Sequence, residues 1–256
     1  MQTAIVRRGA VAASAVSLAL LLAACGGDDS NKDTKGEKGG KEEVKQSAPA
    51  KSQAELEKLM FAKTDLKGYE VDTPTPAELK DAKAATADKK ECATLNEALA
   101  VGAPGPEVAF AARQVAHSPG TPEKATGTID EKTEAAIQAI NNVTVNQLSL
   151  GSYPDGEAAG KAMAELKKSA ESCASGFTST VAADKTKYTK VAPGSYTGGD
   201  EALAYTVTME LDGEPMKSRL VVVRKGTEIL NSHSLTFSGE PAPSKDVIDA
   251  QLKKLG

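Results

Sequence analysis

The segment LAYTVTMELDGEPMKSRLVVVRKGTEILNSHSLTF, residues 203–237, decides the fold class of this chain. Apolar side chains recur at strand spacing in three runs, which are residues 203–211, 216–224 and 227–237. The Asp212-Gly213 pair between the first two runs is a strong signal for a two-residue β-hairpin. Lys225-Gly226 predicts a second tight turn. Strands joined by such turns pair antiparallel, so the segment predicts a three-strand meander.

Helix signals lie mainly on the N-terminal side of this meander. Ser52 with Glu55, and Thr75 with Pro76 after it, are typical of helix starts. The clearest helix begins at Asp155, where one apolar stripe is formed by Ala159, Met163, Leu166, Ala170 and Cys173. Ser244 is expected to cap a closing helix. Helices that precede an antiparallel meander indicate the α+β class.

Shorter patterns fill the region between the first helices and the meander. Residues 107–117 and 143–150 are strand-like, and a helix with one apolar face is predicted around Cys92. Asp130 is predicted to cap a further helix that carries Ile137 and Ile140. The whole pattern predicts an antiparallel sheet flanked by helices.

The first 25 residues have the three parts of a bacterial export signal. Arg7 and Arg8 form a positive n-region, and residues 10–22 form an apolar run too short to span a membrane comfortably. Leu22-Ala23-Ala24-Cys25 resembles the lipobox of bacterial lipoproteins, which implies cleavage before Cys25 and attachment of acyl chains such as palmitate to the mature N-terminus. Two acyl chains anchor a protein stably, so we expect localisation at the cell membrane, lipid-anchored on its extracytoplasmic face. An ordinary secretory signal or membrane anchor with an incidental cysteine is the alternative.

The segment after the lipobox is polar and rich in glycine and charge. Val44 is the single large apolar residue of residues 26–51, so the segment has too little apolar surface to offset the entropy of ordering. A flexible tether with a reach of roughly 25–30 Å is predicted. The predicted organisation is a signal peptide at 1–24, a lipidated tether at 25–51 and one α+β domain at 52–256.

The charge balance argues against nucleic acid as a partner. The chain has 31 basic and 35 acidic residues. Cleavage before Cys25 removes Arg7 and Arg8, which leaves 29 basic residues in the mature chain. Nucleic-acid binding requires a basic surface that neutralises phosphates.

Two cysteines remain once Cys25 is assigned to lipidation. Cys92 and Cys173 each lie on the apolar face of a predicted helix, and disulfides persist in exported proteins. We expect a disulfide between them, with two separate buried thiols as the alternative. The two cysteines and the distant His117 and His233 do not have the spacing of a zinc site.

The sequence contains no recognisable catalytic motif. A Gly-x-Ser-x-Gly elbow, a His-Glu-x-x-His helix and a Walker loop are all missing. His117 and His233 lie in separate strand-like segments, where a structural role is the simpler interpretation. We therefore expect no catalytic residue, no metal and no cofactor.

The order of these parts resembles a known domain family. A short helix precedes Asp65-Leu66-Lys67-Gly68-Tyr69, Cys92 precedes a pair of leucines, and a long Ala-rich helix ends at Cys173. Strands that contain Leu203-Ala204-Tyr205 and Val221-Val222-Val223-Arg224-Lys225-Gly226 follow. This layout resembles the extracellular sensor domain of mycobacterial PknH-type serine/threonine kinases, which also occurs in free-standing actinobacterial lipoproteins.

The resemblance implies a disulfide-bonded antiparallel sheet flanked by helices around a large cleft that holds an unidentified ligand. The kinase sensors use two disulfides, whereas this chain has cysteines for one, and their tryptophan near the second cysteine is absent here. No residue of the family's cleft is therefore assigned to a position in this chain. The chain also has no kinase motif, so signalling would depend on a partner.

The leading hypothesis for function is a non-enzymatic, sensor-like module that binds an extracellular ligand or surface protein. A lipid or glycolipid carrier with an apolar cavity is the first alternative, and an unrecognised cell-wall hydrolase is the second. The binding surface is expected where the meander meets the helix that ends at Cys173. Tyr188, Tyr196 and Tyr205 lie in or near that region.

Overall fold

The computed structural model describes residues 49–117, 128–131, 133–134, 143–236, 241 and 244–256. These residues belong to one compact unit, Lys45–Gly256. The signal peptide, Cys25 and nearly all of the tether lie outside the described residues, and so do Ile137, Ile140 and Phe237. The roles that the sequence predicts for them stay predictions.

The described strands form one antiparallel sheet. Its order is β1-β3-β4-β9-β8-β7-β6-β5-β2. The strands are β1 Tyr69–Asp72, β2 Thr86–Ala87, β3 Ala109–His117, β4 Thr144–Ser152, β5 Phe177–Val181, β6 Asp184–Pro193, β7 Glu201–Leu211, β8 Glu214–Lys225 and β9 Glu228–Thr236. The meander is confirmed as β7, β8 and β9. Asp212 and Gly213 both have positive φ, at 51° and 86°, as a type I′ hairpin turn requires.

Helices pack on both faces of this sheet. They are α1 Gln53–Leu59, α2 Pro76–Lys83, α3 Ala93–Leu99, α4 Gly156–Ser172 and α5 Lys245–Lys254, and a 3₁₀ turn, Lys90–Cys92, precedes α3. Residues 129–131 and 133–134 are also helical. Within the described part of the chain, no helix combines the length and apolarity that crossing a bilayer requires.

Local capping explains where several of these helices begin. The helix start predicted at Thr75-Pro76 is found at α2, where Thr75 and Glu78 form a capping box. The Asp155 carboxylate accepts a 2.8 Å hydrogen bond from the Ala158 amide at the start of α4. Ser244 occupies the expected N-cap position of α5, but its side chain does not cap the helix. Its hydroxyl does not bond the first turn of α5 but lies 2.8 Å from the Ser234 hydroxyl in a buried polar cluster.

Strand alternation divides the core into two layers. On one face, Leu220, Val222 and Ile229 pack with side chains of α3 and α4; this is the α3–α4 face. On the other face, Val221 and Leu230 pack with side chains of α1 and α5; this is the α1–α5 face. The predicted antiparallel sheet flanked by helices is confirmed.

One disulfide joins two helices on the α3–α4 face. Cys92, just before α3, is bonded to Cys173, just after α4, with their Cα atoms 5.8 Å apart. Both residues are fully buried. The Ser169 hydroxyl donates to the Glu91 carbonyl oxygen at 2.6 Å and accepts from the Leu95 amide at 3.2 Å. The start of α3 is therefore fixed to the last turn of α4.

The helix α2 links the two outermost strands. It follows β1 at one edge of the sheet and precedes β2 at the other edge. In a flat sheet β3 and β6 would stand five strand spacings apart, about 24 Å. A single cleft nevertheless touches Gln114 of β3 and Asp184 of β6. The sheet is therefore curled, its concave side is the α3–α4 face, and α2 crosses that side.

Candidate functional site

A cleft of about 410 Å³ lies beside α2 on the concave face. We call it the α2 cleft. One wall is formed by α2 and another by the end of α3 and the residues after it. Its floor is formed by Gln114 of β3 and Gln147 of β4, and its far wall by the turn between β5 and β6.

The floor of the α2 cleft carries two side-by-side amides. Gln114 and Gln147 are register partners in the β3–β4 pair, so both side chains project from the same face. Neither side-chain amide has a hydrogen-bond partner among the described residues. Each is accessible to a ligand, because Gln114 is exposed and Gln147 is half-buried. The floor thus offers both donors and acceptors.

The rim of the α2 cleft carries excess negative charge. Glu78, Asp81 and Asp184 line it, and Arg113 is the basic residue among its lining. The Arg113 guanidinium is already engaged, since Nη2 lies 2.8 Å from Glu57 Oε2. This ion pair leaves the three carboxylates without a basic side chain among the residues that line the cleft.

Polar side chains of the sheet hold the end of α3 in place beside this cleft. The last carbonyl groups of a helix have no partner within the helix. The Asn231 amide donates to the Ala98 oxygen at 2.7 Å and to the Gly102 oxygen at 2.8 Å. The Ser149 hydroxyl also donates to Gly102, at 3.0 Å. These bonds fix the wall of the cleft.

His233 belongs to the same structural cluster. Its Nδ1 lies 3.0 Å from the Leu99 carbonyl oxygen, so Nδ1 carries the proton and donates it. Burial lowers the pKa of His233 from 6.5 to about 4, although the bond to Leu99 opposes that shift. A neutral imidazole that is committed to a helix end has a structural role, as the sequence indicated.

The two histidines lie on opposite faces of the sheet. His233 is the register partner of Gln147 on the α3–α4 face. His117 lies two residues after Val115 in β3, so its side chain projects from the same α1–α5 face. There its ring centroid lies 4.7 Å from that of Tyr69. One site cannot contain both residues. Among the described residues, no group of three or more His, Cys, Asp or Glu side chains is placed to hold a metal ion.

The structure corrects the expected position of the binding surface. The junction between α4 and the meander is filled by core side chains, among them Tyr188 and Tyr205. Burial raises the pKa of each of these tyrosines to about 12. Tyr196 instead lies on the α1–α5 side, where its hydroxyl donates to Asp249 at 2.6 Å. The groove expected at this junction is therefore not found in the described part of the chain.

The residues of the α2 cleft were not singled out by sequence. Gln114 and Gln147 sit in strand segments that the sequence did predict, but no motif marks them. Their common signal is an amide on the strand face that otherwise carries the α3–α4 core side chains. The two amides indicate a site only once the strand register is known, because the pairing of β3 with β4 places them side by side.

Comparison with known proteins gives a likeness in structure alone. No family model matches the chain, and no curated protein matches it. Among solved structures, the chain is similar to the crystal structure of the extracellular domain of PknH from Mycobacterium tuberculosis. The TM-score is 0.48 and the sequence identity 11%, and the match covers 82% of this chain and 96% of that domain. The resemblance noted in the sequence is thus found again in the structure.

Proposed function

We propose that this chain is an exported lipoprotein, anchored on the extracytoplasmic face of the membrane by lipid on Cys25, whose folded part is a non-enzymatic ligand-binding module. The α2 cleft is the observation that carries the binding function. Its volume of about 410 Å³ falls in the range of small-ligand sites, which is about 300–1,000 Å³.

The lining of the α2 cleft suits a small ligand with polar groups. Leu79, Leu99 and Val181 supply apolar walls, and the unpartnered amides of Gln114 and Gln147 supply the floor. A few polar groups within an apolar enclosure orient a ligand and give specificity. The bonds that fix the end of α3 pre-organise one wall, which lowers the entropic cost of binding.

The two alternative functions find less support. A carrier of acyl chains needs a dry apolar cavity, whereas the α2 cleft has carboxylates on its rim and amides on its floor. A hydrolase needs a positioned acid, base or nucleophile. His233, the histidine next to the cleft floor, is only 2% exposed, and its Nε2 is buried away from the cleft surface, out of reach of a substrate.

Filling the α2 cleft should abolish binding without unfolding the domain. Val181 is half-buried at the end of β5 and lines the cleft, so Val181→Trp places an indole where the ligand would lie. We expect fragments with hydroxyl or amine groups that bind the wild type, detected by saturation-transfer NMR, to bind this variant at least tenfold more weakly.

The matched control for this variant is Leu211→Trp, at an exposed hairpin position outside the cleft lining. It should leave the same fragments bound with wild-type affinity. Equal binding to the wild type and to Val181→Trp would show that the α2 cleft is not the ligand site. Turnover of esters, peptides or wall polymers by the purified domain would contradict a non-enzymatic function.

The anchor is tested separately from the binding site. Cys25→Ser removes the thiol that receives the diacylglycerol group, so the variant should leave the membrane fraction or accumulate as uncleaved precursor. Membrane fractionation and mass spectrometry of the N-terminus measure both outcomes. A variant that fractionates and migrates like the wild type would disprove lipidation at Cys25.

A further inference from the structure

Two more clefts lie along α2. One of about 300 Å³ is lined by Leu79, Lys83, Glu107 and Phe110 among others. Another, of about 180 Å³, is lined by Ala82, Lys83 and Glu107 among others. Leu79 and Ala82 also line the α2 cleft. Leu79 therefore stands between the α2 cleft and the 300 Å³ cleft, and Ala82 stands between the α2 cleft and the 180 Å³ cleft.

The helix that divides the clefts is held weakly. None of the residues of α2 is buried. Leu79 is only half-buried where it packs on the small cluster that contains Phe110 and Ala112. Chain on both sides of α2 ties it to the two edges of the sheet. It is thus a strap, attached at both ends and loosely packed between them.

Lys83 makes the strap's charged contact with the sheet. Its Nζ lies 3.0 Å from Glu107 Oε1 and 4.9 Å from the centroid of the Phe110 ring. A carboxylate combined with an aromatic face is the arrangement that binds an ammonium group. The Lys83 side chain is 54% exposed whereas that of Glu107 is 17% exposed. The groups that bind the ammonium group, Glu107 and Phe110, therefore belong to the sheet side, and Lys83 of α2 supplies the ammonium group.

We propose that the three clefts are compartments of one groove, that α2 lifts from it, and that Lys83 holds the place of an ammonium group of an elongated cationic ligand. This inference rests on the proposed binding function and names the ligand class. When α2 lifts, Glu107 and Phe110 become free for a ligand ammonium group, and the floor of the α2 cleft becomes continuous with them.

The charges along the groove are complementary to such a ligand. Glu78, Asp81 and Asp184 line the α2 cleft, and Glu97 lines the smallest cleft. Burial, and to a smaller extent the nearby negative charge of Glu107, raises the pKa of Glu97. A second cationic group would relieve this excess of negative charge, whereas an anionic ligand would add to it.

The strap is tested first without any ligand. Ala112 is 2% exposed and belongs to the cluster beneath Leu79. In an Ala112→Cys background of the full, disulfide-intact chain, the alkylation rate with iodoacetamide reports opening. Lys83→Met should raise that rate at least fivefold because it removes the ion pair. Lys80→Met, which changes the net charge equally from an exposed position on the same helix, should not raise it.

Hydrogen exchange provides a second measurement that needs no new cysteine. The backbone amides of α2 should exchange faster in Lys83→Met than in Lys80→Met, while those of α4 should be unchanged. Equal alkylation rates and equal amide exchange rates in the two variants would contradict the proposal that α2 lifts and that Lys83 holds it down. Both readouts are independent of the ligand, so their failure is distinct from a failure of the binding function.

Spermine, a linear polyamine, is the probe for the ligand class. Calorimetry should show that Lys83→Met binds spermine at least fivefold more tightly than the wild type, whereas Lys80→Met stays within twofold. Glu107→Gln should weaken binding at least fivefold. An equal gain in spermine affinity in both lysine variants, or no spermine binding to the wild type or any variant, would contradict the ammonium site.

Cellotetraose, a neutral oligosaccharide, is the contrasting probe. Binding of cellotetraose but not of spermine would overturn the ligand class and leave the proposed binding function intact.

Discussion

Replacing both bonded cysteines, Cys92→Ala with Cys173→Ala, is expected to lower the free energy of unfolding by about 4 kcal/mol. The disulfide spans 81 residues of sequence. Closing a loop of that length lowers the entropy of the unfolded chain, which stabilises the folded state by about this amount. A domain is typically stable by only about 5–15 kcal/mol. The loss should therefore be visible as a large shift of the urea unfolding midpoint.

The contacts around the disulfide set the control for this experiment. Ser169→Ala removes the hydrogen bonds to Glu91 and Leu95 but keeps the crosslink, so it should cost about 1 kcal/mol. Native peptide mapping should show the crosslink intact in that variant. A loss under about 1 kcal/mol in the double cysteine variant would mean that the packing of α3 against α4 needs no crosslink.

The second large effect is a loss of stability as the pH falls. The folded-state pKa of His233 is about 4 because the ring is buried, against 6.5 for an ordinary histidine. The unfolded chain therefore binds a proton that the folded chain cannot accept without charging a buried imidazole. This stability is fully present above pH 6.5 and is lost progressively until about pH 4. The loss is about 3 kcal/mol, at about 1.4 kcal/mol for each pH unit.

The variant His233→Gln isolates this contribution. The glutamine amide does not titrate. Between pH 7 and pH 4 the free energy of unfolding of this variant should therefore fall by about 3 kcal/mol less than that of the wild type. Other titrating groups are common to both proteins and cancel in the difference. NMR titration of the His233 ring in the wild type is an independent check. Equal losses in the two proteins, or a ring that titrates near pH 6.5, would show that His233 is not held neutral by burial.

Local signals explain why the meander was predictable. The Asp212-Gly213 and Lys225-Gly226 turns are specified by a few adjacent residues, and they set the register of β7, β8 and β9. The strands β5 and β6 were not named from the sequence. A β-bulge between Tyr188 and Lys190 interrupts the alternation in β6, so the period-two pattern that marks a half-buried strand is broken there.

The position of the site depends on long-range geometry that no local pattern carries. The sequence predicted the helix that begins at Thr75, but it gave no sign that this helix joins the two edges of one sheet. Gln114 and Gln147 become neighbours only through pairing across a long connection. Tyr188 and Tyr205 lie near the binding surface that the sequence predicts, yet both pack in the core. Fold class was thus predictable, and site position was not.

The lengths of the outermost strands affect how this domain behaves when many copies are crowded together. An unpaired strand edge is a template on which another chain can add a strand and begin aggregation. In the described sheet the two edges are β1, with four residues, and β2, with two residues, whereas the 12-residue β8 lies in the interior. The two outermost strands therefore offer neighbouring copies only short templates, which disfavours edge-to-edge association at high protein concentration.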